Sequence, residues 1–168
     1  ASQDWKYLAL KSRRNGADKP ASLYLIDTAN GDKLTNMDEG DATFTMTGWN
    51  GHSFVYQVWR DKVQVWQPNK YSLKSYDADA AKINLLDNSV AAGSSYYDYQ
   101  SDYFSSVILV GNQVSYVKTW NGSQYPLVGK QQGIYVVDVN GQNKKLVKGF
   151  DAATTSSLEG KLYDPGEV

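Results

Sequence analysis

Residues 133–147 read GIYVVDVNGQNKKLV: a strand, a turn and a returning strand. Ile134, Val136 and Val139 are β-branched and Tyr135 is aromatic, which suits a pleated, half-buried surface. Asn140-Gly141 follows at once. That dipeptide is the strongest short hairpin signal, because both central residues of a type I′ turn need φ > 0. The phrase recurs at residues 22–35 as SLYLIDTANGDKLT, with Tyr24 for Tyr135, Asp27 for Asp138 and Asn30-Gly31 for Asn140-Gly141. A third, worn copy at residues 72–86, SLKSYDADAAKINLL, keeps Ser72-Leu73 and Asp77 in step with Ser22-Leu23 and Asp27. The chain is therefore built from repeats, and repeats speak about fold before function.

Working outward, each copy is preceded by an apolar-aromatic segment: KYLALKS from Lys6, SFVYQVWR from Ser53 and QVSYVKTW from Gln113. The second and third copies have one more segment in front, ATFTMTG from Ala42 and SSVILVG from Ser105. Residues 42–47 alternate strictly, with Ala42, Phe44 and Met46 on one face and three threonines on the other. Lys62–Gln67 alternates too and reads as a further strand, whereas Gly48–Gly51 reads as a turn. Five Asn-Gly pairs punctuate the runs, and no segment sustains a 3.6-residue period. The fold class is all-β, and four antiparallel strands per unit is the composition of a propeller blade. The anchors Ser22, Ser72 and Gly133 are 50 and 61 residues apart, which the longer loops absorb. The 168 residues form a single domain with blades near 1–40, 41–90 and 104–150 and a candidate closing strand at 156–163.

Phrases such as GNQVSYVKTW followed by GIYVVDVNGQNKKLV resemble the repeats of TolB-like and related six-bladed bacterial β-propellers. The Ser-Pro-Asp-Gly turn of that family is absent; GWNGHSFVYQVWR stands in its place. The resemblance implies a propeller that binds on its rim or central mouth. About three blades are too few to close a ring. The expectation is therefore a piece of a longer ring, a homodimer in which each C-terminal strand completes its partner's first blade, or a small open stack of sheets.

Composition narrows the chemistry. Seventeen Lys and Arg against eighteen Asp and Glu give a net charge of −1, so no basic footprint for nucleic acid exists. No apolar run approaches the roughly 18 residues of a membrane span. With no cysteine, disulfides, thiolate metal sites and cysteine nucleophiles are excluded. Thirteen Tyr and five Trp beside a single His lean towards an extracytoplasmic surface protein.

No catalytic motif is present, so the expectation is no enzyme and no cofactor. His52, the lone histidine, stands in a turn with no neighbour in sequence to act on, and reads as solvent-facing. Asp77-Ala-Asp79 starts like a calcium loop but lacks its later ligands, and Asp38-Glu39-Gly40-Asp41 reads as a solvated acidic loop. Asp27, Asp77 and Asp138 read as turn caps bonding backbone N–H groups. The sharpest candidate ligand-binding residues are Tyr96, Tyr97, Tyr99 and Tyr103, a tyrosine cluster in the least regular stretch. Aromatic faces there offer contact area at low entropic cost to a protein or glycan partner. Trp49 and Trp120, placed at turns, extend that surface, whereas Trp59 and Trp66 read as packing. Asn121-Gly122-Ser123 is a glycosylation sequon of the kind that arises often by chance. The function expected is a non-catalytic recognition or scaffolding module. The rivals are a substrate-gating propeller from a larger hydrolase and a lectin-like sugar binder.

Overall fold

The computed structural model describes residues 1–13, 21–40, 42–93, 95, 100–122 and 132–150. Their strands are β1 (Tyr7–Ser12), β2 (Ser22–Asp27), β3 (Lys33–Asp38), β4 (Ala42–Asn50), β5 (Ser53–Arg60) and β6 (Tyr71–Asp77). There follow β7 (Lys82–Asn88), β8 (Ala91–Ala92), β9 (Gln100–Val110), β10 (Gln113–Gly122), β11 (Gly133–Asp138) and β12 (Lys145–Gly149). One 3-10 turn at Thr28–Asn30 is the sole helical piece among the described residues, and none of these residues forms a helix able to cross a membrane. The strands form three antiparallel sheets in simple sequence order: β1-β2-β3, β4-β5-β6-β7 and β8-β9-β10-β11-β12.

The repeat holds in register. Tyr7, Ser53 and Gln113 pair with Asp27, Asp77 and Asp138 respectively. A bulge follows Leu23, Leu73 and Ile134, the same position in each sheet. The residue after each aspartate, Thr28, Ala78 or Val139, donates its N–H to the carbonyl of Lys6, His52 or Asn112 at 2.9, 3.0 and 3.2 Å. Thus β1-β2-β3 matches β5-β6-β7 and β10-β11-β12. The leading strands β4 and β9 have no counterpart in the first sheet among the described residues.

Alternation along the strands sends opposite residues to opposite neighbours, which puts the second sheet in the middle. Phe54, Tyr56 and Val58 pack with Leu23, Leu25 and Met37 of the first sheet. Val55, Leu73 and Leu86 pack with Val114, Tyr116 and Val137 of the third. Each joint also contains a polar lock at the same register position. Asp38, paired with Leu23, accepts from the Tyr56 hydroxyl at 3.1 Å and from Lys74 Nζ at 2.7 Å. Asp87, paired with Leu73, accepts from the Tyr116 hydroxyl at 2.7 Å and from Lys118 Nζ at 3.2 Å. Between the second and third sheets, β4 and β9 approach most closely, so these sheets draw together on their leading-strand side.

Several local expectations need correction. Residues 62–67 are not a strand: Gln67 N–H bonds the Gln64 carbonyl at 2.9 Å, curling the segment into turns between β5 and β6. Gly48–Asn50 belongs to β4, and only Gly51-His52 turns. At Asn30-Gly31 the chain makes the 3-10 turn and then places Gly31 and Asp32, not Asn30, at positive φ, so Asn30-Gly31 is not the central pair of a type I′ turn. Asn140 likewise lacks positive φ, while Gly141 has φ 83°. Asp38 is a joint residue and not part of a solvated acidic loop. The third sheet starts before residue 104, since β8 and the first four residues of β9 precede it. The expected closing strand at 156–163 lies outside the described residues.

Candidate functional site

The joint between the second and third sheets is not filled along its whole length. Past Val55 and Leu73, the facing side of the second sheet carries Thr45, Gln57, Trp59 and Tyr71 in place of aliphatic residues. These positions, with Phe104 and Tyr103 of β9, line a cleft of about 310 Å³. That volume lies at the lower end of the range for small-ligand sites.

Register explains its walls. Trp59 sits directly opposite Tyr71 across β5 and β6, and their rings meet edge-to-face at 5.5 Å. The ammonium of Lys70 lies 5.4 Å from the centre of the Trp59 ring and is tied to the Arg60 carbonyl at 2.7 Å. Trp59 is thereby steadied on one side, yet it remains 49% exposed. Phe104 closes the opposite wall, stacked edge-on against Tyr116 at 5.6 Å. Tyr103, next to it, borders the cleft. Thr45, Gln57 and Ser72 add polar atoms to the aromatic lining.

The polar lock beneath the cleft is heavily charged. Lys118 lies 3.2 Å from both Asp87 and Asp102, and Lys144 reaches Asp87 at 3.0 Å. Burial pushes the Asp102 carboxyl up, and Lys118 only partly counters it. Burial pushes Asp87 up too, but Lys118, the Tyr116 hydroxyl and Lys144 together bring it below the ordinary carboxylate value. The Tyr116 phenol is driven up by burial and by the Asp87 charge. These groups bond one another and fix the spacing of the two sheets.

A second polar cluster lies at the joint between the first and second sheets. His52 is not simply solvent-facing: Nδ1 meets Asp79 at 2.6 Å and Nε2 meets Asp4 at 2.9 Å. Asp79 also accepts from the Tyr7 hydroxyl at 2.9 Å and from Lys6 Nζ at 3.1 Å. Hydrogen bonds to the two carboxylates raise the imidazole pKa above 6.5, and the same bonds depress Asp79 to about 2 and lower Asp4. Two carboxylates thus reach His52 from elsewhere in the chain, which sequence neighbours did not reveal. By tying Asp4, Lys6 and Tyr7 to His52 and Asp79, the cluster acts as a latch for the N-terminal residues. Among the described residues no group of His, Asp and Glu is arranged to hold a metal ion.

The expected ligand-binding residues separate. Tyr103 borders the cleft, whereas Tyr96, Tyr97 and Tyr99 lie outside the described residues. Trp49 lies in β4 and not in a turn, stacked on Tyr7 at 6.3 Å and tilted on Phe54 at 5.0 Å within the first joint. Trp120 lies inside β10, opposite Asp102. Trp59 and Tyr71 were the residues missed. Their signal was present in β5: Phe54, Tyr56 and Val58 fill one face, which leaves Trp59 on the other beside Gln57 and the threonine face of β4. The turn caps divide as well. Asp27 and Asp77 bond backbone N–H groups of the following turn, while Asp138 takes the side chains of Gln113 and Asn143.

No family model, curated protein or solved structure matches the chain.

Proposed function

We propose that the protein is a non-catalytic recognition module whose ligand is a carbohydrate bound in the cleft of Trp59, Tyr71 and Phe104. One observation supports this above the others: a half-exposed tryptophan, steadied by Lys70 and Tyr71, beside a groove edged with hydroxyl and amide groups. Sugar rings present an apolar C–H face to such a platform and hydroxyls to Thr45, Gln57 and Ser72. The reading takes the three sheets as consecutive propeller blades, in keeping with the TolB-like resemblance. It also suits a chain displayed outside the cytoplasm, where glycans are met.

The test is a titration with a panel of neutral oligosaccharides, followed by tryptophan fluorescence. A ligand of this class is expected to perturb the emission. Trp59→Ala is expected to weaken binding tenfold or more, with the melting temperature held within a few degrees because the ring is half exposed. Binding unchanged by Trp59→Ala, or no binding across the panel, would overturn the assignment.

A further inference from the structure

The two joints establish what a buried sheet face looks like in this protein, and the outer face of the third sheet repeats it with no described residue packed on top. Met37 and Leu86 occupy the bulge of β3 and β7 and are 4% and 3% exposed, each under the next sheet. Val147 occupies the same bulge in β12 and is 58% exposed. Leu23 and Leu73 are fully buried, while their counterpart Ile134 is only half buried. Ile108 of β9 adds to this face at 54% exposure. At the other end of the molecule, the outer face of the first sheet carries Leu8, Leu10, Ile26 and Leu34 in one patch. Leu8 and Leu10 stand where Phe54 and Tyr56 meet the first sheet, and Leu10 is 42% exposed.

We propose that the outer face of the third sheet seats the outer face of the first sheet of a second copy of this chain, with two chains closing head to tail. Continuity with the internal joints identifies the occupant, since each free face is the missing half of the same repeated interface. The polar lock supplies the second argument. At the two internal joints an aspartate of one sheet receives a tyrosine hydroxyl of the next. At the free ends both members change together: Lys148 replaces the aspartate and Leu10 replaces the tyrosine. A buried aspartate opposite Leu10, or a buried tyrosine hydroxyl opposite Lys148, would lose its partner. The pairing found leaves neither, and Lys148 faces Leu10, Tyr24 and Ser12, of which the Tyr24 and Ser12 hydroxyl oxygens can accept from its ammonium. Six sheets, three from each chain, lie within the number that closes a ring.

Light scattering on the full chain at 5–100 µM decides the matter. The wild type is expected at twice the chain mass. Val147→Asp and Leu10→Lys, both at exposed positions of the single chain, the second setting a like charge against Lys148, are each expected to give a monomer with an unchanged circular dichroism spectrum. Restoring the lock with Leu10→Tyr and Lys148→Asp together is expected to tighten the pair about tenfold beyond either single change, the effect of one hydrogen bond to a charged group. A wild type that stays monomeric at 100 µM would overturn the proposal. So would a dimer that survives Leu10→Lys while Val147→Asp breaks it, because that pattern belongs to two third sheets meeting each other.

Discussion

Lys118 holds two carboxylates at 3.2 Å in a joint where all three side chains are nearly shut off from water. Removing the cation leaves Asp87 and Asp102 facing each other without it, whereas removing the Tyr116 hydroxyl takes away only one of several donors to Asp87. Lys118→Met is therefore expected to cost about 3–5 kcal/mol, and Tyr116→Phe about 1–3 kcal/mol. Urea denaturation of the two variants checks the order. The His52 latch gives a pH signature. Its imidazole pKa is raised on folding, so its contribution is complete below pH 6.5 and fades as pH rises through the folded value. Asp4 and Asp79 are lowered on folding, so their contribution is present above pH 3.8 and fades as pH falls towards 2. The latch is thus fullest between those limits. With side chains 30–55% exposed, the effect is small: His52→Gln is expected to lower the melting temperature by on the order of 2 °C near pH 5.5 and by nothing measurable near pH 9.5. Melting curves of both proteins across that range provide the comparison.

At the scale of the strand, Gly133 sits in a tightly packed stretch of backbone. A Cβ there would run into the Lys148 carbonyl oxygen, and that oxygen belongs to the partner strand and cannot swing aside. Gly31, at φ 66°, has open space around it. Gly133→Ala is expected to cost about 2–3 kcal/mol and Gly31→Ala about 1 kcal/mol, read from chemical denaturation midpoints. Most of the strands were legible from alternation and turn residues: Ser22–Asp27, Ser53–Arg60 and Tyr71–Asp77 fall where the pattern puts them. The failure at Lys62–Gln67 has a physical cause. Alternation requires only that a segment could be half buried, and this one has no strand beside it to complete a ladder. Turn types were less legible than turn positions, because the 3-10 turn after Asp27 moves the positive φ one residue beyond Asn30. The cleft was hidden for another reason. Trp59 looks like packing in a list of tryptophans, and only the pairing of β5 with both neighbours shows which face it occupies.

Across the whole molecule, the three sheets form a series joined by two equivalent interfaces, and the candidate binding cleft is the unfilled end of the second. The locks Tyr56–Asp38 and Tyr116–Asp87 would then be copies of one device, each holding its own pair of sheets and independent of the other. That equivalence follows from register, and it carries both the placement of the cleft and the matching of the free faces. Double-mutant cycles in urea test it most directly, using Tyr56→Phe with Asp38→Asn and Tyr116→Phe with Asp87→Asn. A coupling of about 1 kcal/mol or more is expected within each pair, and additivity within about 0.5 kcal/mol for the crossed pairs Tyr56 with Asp87 and Tyr116 with Asp38. Additivity within either pair, or equal coupling in the crossed ones, would contradict the account.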